Sequence, residues 1–277
     1  MEQDEGRNRS FGARIAGGLK AGGMLIGGLL VLGAGKILIP ALIGGVAGAA
    51  AQTVVSQSVG SSGQATKQQL MDFVLDHETF GPTFRAMQKF YPAEFDDLLA
   101  NSMSAEDPNA YVFETMKRFR IEKGADLAQA PAEKILAVLY GEKRVIEWLA
   151  ERSPKACAGM AFGTAESAAV MPAGAVEQFA SYMPAVMEAL GAGKTNPVGR
   201  DLSSGAEALY ELYATNLAET DLTDEQYFAL LDGSIMQMSV EDQCKVGVAN
   251  YEAIANLPAE EAANFYAMLS MDGAGSV

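Results

Sequence analysis

The chain has 277 residues, of which 49% are hydrophobic and 20% are charged, and its formal net charge at pH 7 is −15. This composition is too apolar for a disordered protein, and the length suffices for one large or two small folded domains. The strong negative charge repels phosphate backbones and therefore argues against nucleic-acid binding.

The charge is unevenly distributed along the chain. Residues 1–52 carry five basic and three acidic side chains, so residues 53–277 carry a net charge of −17. Segments that flank membrane helices on the cytoplasmic side are enriched in Lys and Arg. We therefore expect residues 1–20 to form a cytoplasmic N-terminal segment and the acidic body to be exported.

Residues 21–55 form an apolar, glycine-rich membrane segment with a single charge, Lys36. An α-helix needs about 20 apolar residues to cross a bilayer core. We predict one crossing within Lys36–Val55, surrounded by membrane lipid. Two alternatives stay open, a hairpin of two short helices that turns just before Lys36, and a secretory signal that is cleaved near Ala51 after small residues.

Small residues recur four positions apart in and before this membrane segment. In lipid, such spacing lets helix backbones approach closely, and packing drives their association. The spacing predicts self-association or association with other subunits of a membrane complex, although Gly and Ala are also common in such segments. The residues concerned are Gly18, Gly22, Gly23, Gly27, Ala41, Gly44, Gly45 and Gly48.

Residues 56–66 are polar, small and rich in Gly and Ser, which is typical of a flexible tether. From Lys67 onward the hydrophobic period is helical, and no window alternates with period two over the length of a strand. We predict an all-α body of about 9–11 helices, arranged as a bundle or as αα-hairpin-like units. A Gly/Asn/Pro loop at 191–199 predicts a division into helical subdomain 67–190 and acidic helical subdomain 200–277.

The predicted helices begin at recognisable start signals. Thr223 with Gln226 is a capping box, Ser239 with Asp242 is a weaker variant, and several prolines occupy first-turn positions. The predicted helices span Lys67–His77, Pro82–Phe90, Pro92–Met103, Asn109–Lys123, Pro131–Arg152, Pro154–Phe162, Gly174–Leu190, Asp201–Leu217, Thr223–Met236, Ser239–Asn256 and Pro258–Ser270.

Two features of the body allow two interpretations each. Cys157 and Cys244 lie 87 positions apart, and they form either one disulfide in an oxidising compartment or two buried apolar side chains. The basic stretch Lys117–Lys123 is interpreted as a solvated helix face rather than as a contact with an acidic partner.

Catalytic and metal-binding patterns are weak throughout the chain. His77 is the sole histidine, and an HExxH zinc site lacks its second histidine because position 81 is Gly. Gly193-Lys194-Thr195 resembles the end of a phosphate-binding loop but lacks the glycine that must precede it. The paired acids Asp96-Asp97 and Glu260-Glu261 are interpreted as surface residues. We predict no catalytic residue, no metal site and no cofactor, and hence a protein that is not an enzyme.

The fourteen methionines include Met183 and Met187 at helical spacing. Such residues fill irregular helical cores more often than they line an adaptable groove. The expected function is a single-pass inner-membrane subunit or scaffold with a periplasmic domain, acting by protein–protein interaction. The alternative is a secreted or periplasmic helical binding module released by cleavage near Ala51.

Overall fold

A computed structural model of the protein describes residues 67–274, apart from 103, 107, 163–170 and 201–205. The membrane segment 21–55, its small residues and the tether 56–66 therefore lie outside the described residues. The described part of the chain forms twelve α-helices and one short 3-10 helix, and it contains no strand. The all-α prediction is confirmed for these residues, with one helix more than the upper predicted number.

The helices follow one another with short connections. The first six are α1 (Lys67–Asp76), α2 (Gly81–Phe90), α3 (Pro92–Ser102), α4 (Pro108–Glu122), α5 (Gly124–Ala128) and α6 (Ala132–Ala150). The others are α7 (Pro154–Phe162), α8 (Ala175–Thr195), α9 (Ala206–Ala218), α10 (Asp224–Asp232), α11 (Val240–Ala255) and α12 (Ala259–Ala274), with the 3-10 helix (Ser234–Gln237) between α10 and α11.

Helix α6 lies at the centre of the fold and packs against α7, α8, α11 and α12. Its apolar stripe is buried, with Ile135, Val138 and Leu139 fully inaccessible to solvent. Gly141 in the middle of α6 allows the close approach of α8, because a Cβ atom there would lie 2.5 Å from Cβ of Tyr182. This glycine lowers helix propensity but makes room for the largest helix contact of the core.

The predicted loop at 191–199 is wrong in its first half, because α8 continues to Thr195. Gly191 packs against the ring of Phe90, and Gly193 lies directly against the backbone of Asp126, so neither position has room for a side chain. These glycines serve helix packing rather than a turn. The sequence alone cannot distinguish the two uses, since both require the absence of Cβ.

None of the helices in the described part of the chain combines the length and the apolar character that crossing a bilayer requires. One connected hydrophobic core runs from α1 to α12, and α12 packs against α5 and α6. The division of the body into subdomains 67–190 and 200–277 stays a prediction.

Candidate functional site

The turn that follows α10 differs from the predicted continuous helix Thr223–Met236. Thr223 and Gln226 form the predicted capping box, in which each side chain accepts a hydrogen bond from the other residue's backbone N–H. Helix α10 then ends at Asp232, because Gly233 adopts a left-handed conformation with φ of 85° that glycine reaches without steric cost. The chain changes direction there, and Met236 falls on the 3-10 helix instead of on α10.

Asp242 connects the starts of α10 and α11. Its backbone N–H donates to the Ser239 hydroxyl, which makes Ser239 the predicted N-cap of α11. Its carboxylate accepts hydrogen bonds from Ser239 Oγ at 2.6 Å and from Gln226 Nε2 at 2.7 Å. These two donors lower the pKa of the Asp242 carboxyl below its usual value. The Asp242 carboxylate thus bonds residues at the starts of both α10 and α11.

Between α10, the 3-10 helix and the start of α11 lies an open cavity of about 480 Å³, which we call the acidic groove. Phe228 lines it with 53% of its surface exposed, and its ring meets Tyr227 edge-on at 5.5 Å. Met236 and Val240, beside the groove in the chain, are 46% and 37% exposed. The lining comprises Glu225, Phe228, Ala229, Asp232, Ser234, Gln237, Met238, Ser239 and Asp242.

The charged residues that line the acidic groove are all negative, namely Glu225, Asp232 and Asp242. Residues 201–277 contain fourteen acids and one base, Lys245. The Lys245 ammonium lies 3.4 Å from the Asp221 carboxylate and is therefore already paired. The hydroxyl and backbone N–H of Ser234 bond the Asp232 carboxylate and lower its pKa, so this carboxylate stays charged. The exposed ring of Phe228 therefore lies in a groove whose charged lining residues are all acidic.

A second cavity of about 400 Å³, which we call the disulfide groove, lies on another side of α11. It is bounded by the end of α6, the start of α7 and the loop before α10. Cys157 on α7 and Cys244 on α11 are placed as a disulfide, with their Sγ atoms 2.06 Å apart, and both cysteines are buried. The groove is lined by Ala150, Pro154, Thr220, Asp221, Leu222, Glu241, Cys244, Lys245, Val248, Ala249 and Glu252.

A buried ion pair joins α4, α6, α11 and α12. Arg120 Nη2 donates to Glu142 Oε1 at 2.8 Å, and both side chains are buried. The other carboxylate oxygen, Oε2, accepts from the hydroxyls of Tyr266 at 2.7 Å and Tyr251 at 3.3 Å. This cluster corrects the interpretation of Lys117–Lys123 as a solvated face, because Arg120 points into the core while Arg118 is exposed.

The electrostatics of this cluster follow from its burial. Desolvation raises the pKa of Glu142, against the opposing effect of Arg120 and the hydroxyl donors. Desolvation acts to lower the pKa of Arg120, but the adjacent Glu142 carboxylate outweighs it and raises this pKa. Burial also raises the pKa of Tyr182, Tyr251 and Tyr266 at this cluster above the ordinary 10.0, and it does the same for Tyr91, Tyr213 and Tyr227 elsewhere in the body.

The remaining residues considered in the sequence lie apart from these features. His77 follows α1, stacks on Phe80 at 4.8 Å, and its Nδ1 accepts from the backbone N–H of Thr79. Asp96 and Asp97 are exposed on α3, whereas Met183 and Met187 are buried on α8. Across the described residues, no group of three His, Cys, Asp or Glu side chains is placed to hold a metal ion.

Sequence reasoning missed the acidic groove and the Arg120–Glu142 pair. The capping residues gave a signal for the start of α10, but only the position of Gly233 hinted at its end. Nothing in the sequence pairs residue 120 with residue 142, since the contact depends on how α4 packs beside α6.

No protein-family model matches the chain, and no curated protein or solved structure shows significant similarity to it.

Proposed function

We propose that the protein is a single-pass, membrane-anchored helical subunit or scaffold of an inner-membrane complex. In this proposal the body lies on the extracytoplasmic side and acts by protein–protein contact, without catalysis. The anchor is the apolar segment 21–55. Basic residues of the chain precede this segment and the acidic body follows it. The small residues of that segment contribute to self-association or to contacts with other subunits.

The observation that carries the proposal is the disulfide between Cys157 and Cys244. It joins two helices inside the core, and both cysteines are buried. Disulfides form and persist in oxidising compartments, and reducing conditions in the cytoplasm keep most thiols free. A cross-link at this place supports an exported body, and the charge distribution supports the same orientation independently.

Topology reporters test the orientation of the chain. A reporter that is active only in the periplasm, fused after residue 100 and again after 277, is expected to be active at both positions. The matched cytoplasmic reporter is expected to be active only when it is fused at the N-terminus. Cytoplasmic activity of the fusion after residue 100 contradicts the proposal.

Membrane fractionation tests the anchor separately. The full chain is expected to stay with the membrane after alkaline carbonate washing and to be released by detergent. A variant with Leu38, Ile39 and Leu42 replaced by Asp is the control, because three carboxylates in a bilayer core strongly oppose insertion. Recovery of the uncut native chain in the aqueous fraction would refute anchoring.

A second candidate function is a periplasmic binding module released from the membrane. The small residues Ala49 and Ala51 after an apolar stretch favour signal cleavage, and the apolar side of the disulfide groove offers a binding surface. Mass spectrometry of the native N-terminus separates the two functions. A mature chain that begins at Gln52 supports release, and retention of residues 1–51 supports the anchor.

A further inference from the structure

We infer that the acidic groove is the docking site for a cationic amphipathic helix of a partner subunit. This inference rests on the proposed function, which it deepens by naming the chemistry of the partner. It concerns the surface formed by α10, the 3-10 helix and the first turn of α11, which is far from the anchor in the chain.

The first argument is the exposure of large apolar side chains in one stretch of the chain, of which Phe228 lines the groove. Phe228, Met236 and Val240 are exposed within thirteen consecutive residues, although most large apolar side chains of the described body are buried. Scattered exposed hydrophobic residues are normal, but Phe228 is a large aromatic ring that lines an open cavity. Aromatic residues such as Phe228 often provide the anchoring contact in such sites.

The second argument is the construction of the groove. Three local features define the turn. The capping box at Thr223 begins α10, the left-handed Gly233 ends it, and the N-cap at Ser239 begins α11. Gln226 is buried and bonds Asp242, so the two helix starts are held together. The exposed apolar side chains are thus presented by a hydrogen-bonded frame, which lowers the entropic cost of binding.

The third argument is charge, and it selects the partner. Glu225, Asp232 and Asp242 line the groove, and no basic residue lines it. The only cation in residues 201–277, Lys245, is paired with Asp221. An acidic partner would bring further negative charge against these carboxylates, whereas Lys and Arg beside an apolar stripe would pair with them. A helix with such a stripe can insert apolar side chains at i, i+3, i+4 and i+7 into a groove.

A peptide-binding measurement tests the inference on the full chain. The probe is a fluorescent amphipathic peptide with Leu along one helical face and Lys along the other. The full chain is held in nanodiscs of zwitterionic lipid, and the signal of empty nanodiscs is subtracted. We expect saturable binding that weakens as salt is raised, because exposed charge pairs are screened. A peptide in which Glu replaces every Lys is expected not to bind.

Variants assign the binding to the groove. Phe228→Ser is expected to lower the affinity about tenfold, as loss of an anchoring aromatic residue does. Glu225→Gln is expected to lower the affinity and to flatten its salt dependence. The matched controls are Tyr140→Ser, an exposed aromatic residue on α6, and Glu177→Gln, an exposed acid on α8; both are expected to bind as the native chain does.

Four results would overturn the inference. They are equal binding by Phe228→Ser, an equal loss in Tyr140→Ser, equal binding of the Glu peptide, and a native chain that self-associates through Phe228 in place of binding peptide. Failure of the anchor looks different, because the chain then remains outside the nanodiscs. The same peptide titration can in that case be made on the chain in buffer, so the two proposals fail separately.

Discussion

Replacing Glu142 by Gln removes the negative charge from the buried cluster while keeping the shape of the side chain. Glu142 has no exposed surface, and it accepts hydrogen bonds from Arg120 at 2.8 Å and from two tyrosine hydroxyls. In the variant the Arg120 guanidinium stays buried beside a neutral amide. The amide also brings an N–H₂ group, which competes with the tyrosine hydroxyls as a donor.

The expected cost is large because the charge that remains has no counter-charge. Breaking a buried ion pair by removing one partner typically destabilises a protein by about 3–5 kcal/mol. For a body of this size, each kcal/mol lowers the melting temperature by about 2–4 °C, so we expect a decrease of roughly 6–20 °C. The exposed Glu133 on the same helix gives the control, since Glu133→Gln should cost less than about 1 kcal/mol.

A combined variant separates the cost of the unpaired charge from the value of the pair. Replacing Arg120 and Glu142 by Met, with Tyr251→Phe and Tyr266→Phe, removes both charges and the two hydroxyls that would lose their acceptor. Apolar replacements of buried ion pairs are often neutral or stabilising. This variant should therefore be more stable than Glu142→Gln despite carrying more substitutions.

Urea unfolding of the full chain, followed by far-ultraviolet circular dichroism under identical solvent conditions, measures these differences. The reasoning about the buried charge is wrong if Glu142→Gln unfolds at the same urea concentration as the native chain. It is also wrong if Glu142→Gln and Glu133→Gln unfold at the same urea concentration. If the combined variant is less stable than Glu142→Gln, the pair itself contributes more than apolar packing can replace.

Three further outcomes are expected. Six tyrosines have folded-state pKa values above the ordinary 10.0, namely Tyr91, Tyr182, Tyr213, Tyr227, Tyr251 and Tyr266. Their stabilising effect is present below pH 10 and is lost above it, by up to about 1.4 kcal/mol per tyrosine and pH unit. Ultraviolet titration should show tyrosinate forming together with unfolding, and reversible titration of all tyrosines without unfolding would contradict this. The disulfide closes a loop of 87 residues, so reducing it should destabilise the body by up to about 4–5 kcal/mol. The control variant Cys157→Ala/Cys244→Ala should melt at the same temperature with and without reductant. Gly247→Ala should lower the free energy of unfolding by about 1–3 kcal/mol, because the added Cβ would overlap that of Ala161. Gly199 has open space around it, so Gly199→Ala should melt at the same temperature as the native chain.

Local signals in the sequence predicted most of the helices. The apolar stripe of α6 and the capping pair of Thr223 and Gln226 both act within a few residues, so they can be read without the fold. The start of α11 at Ser239 follows the same rule, because its cap hydrogen bond spans three residues. Where the sequence was misread, as at Gly191 and Gly193, a local rule competed with a contact from a distant helix.

The sequence by itself determined that the body is helical, that its C-terminal part is acidic, and where most helices begin, because helix period and capping are short-range properties. The tertiary structure decided that Arg120 meets Glu142, that Cys157 meets Cys244, and that Phe228 faces an acidic groove. These pairings join residues that are far apart in the chain or separated by a turn. They depend on which helix faces pack together, and the hydrophobic effect that drives this packing is non-directional, so no single segment encodes them.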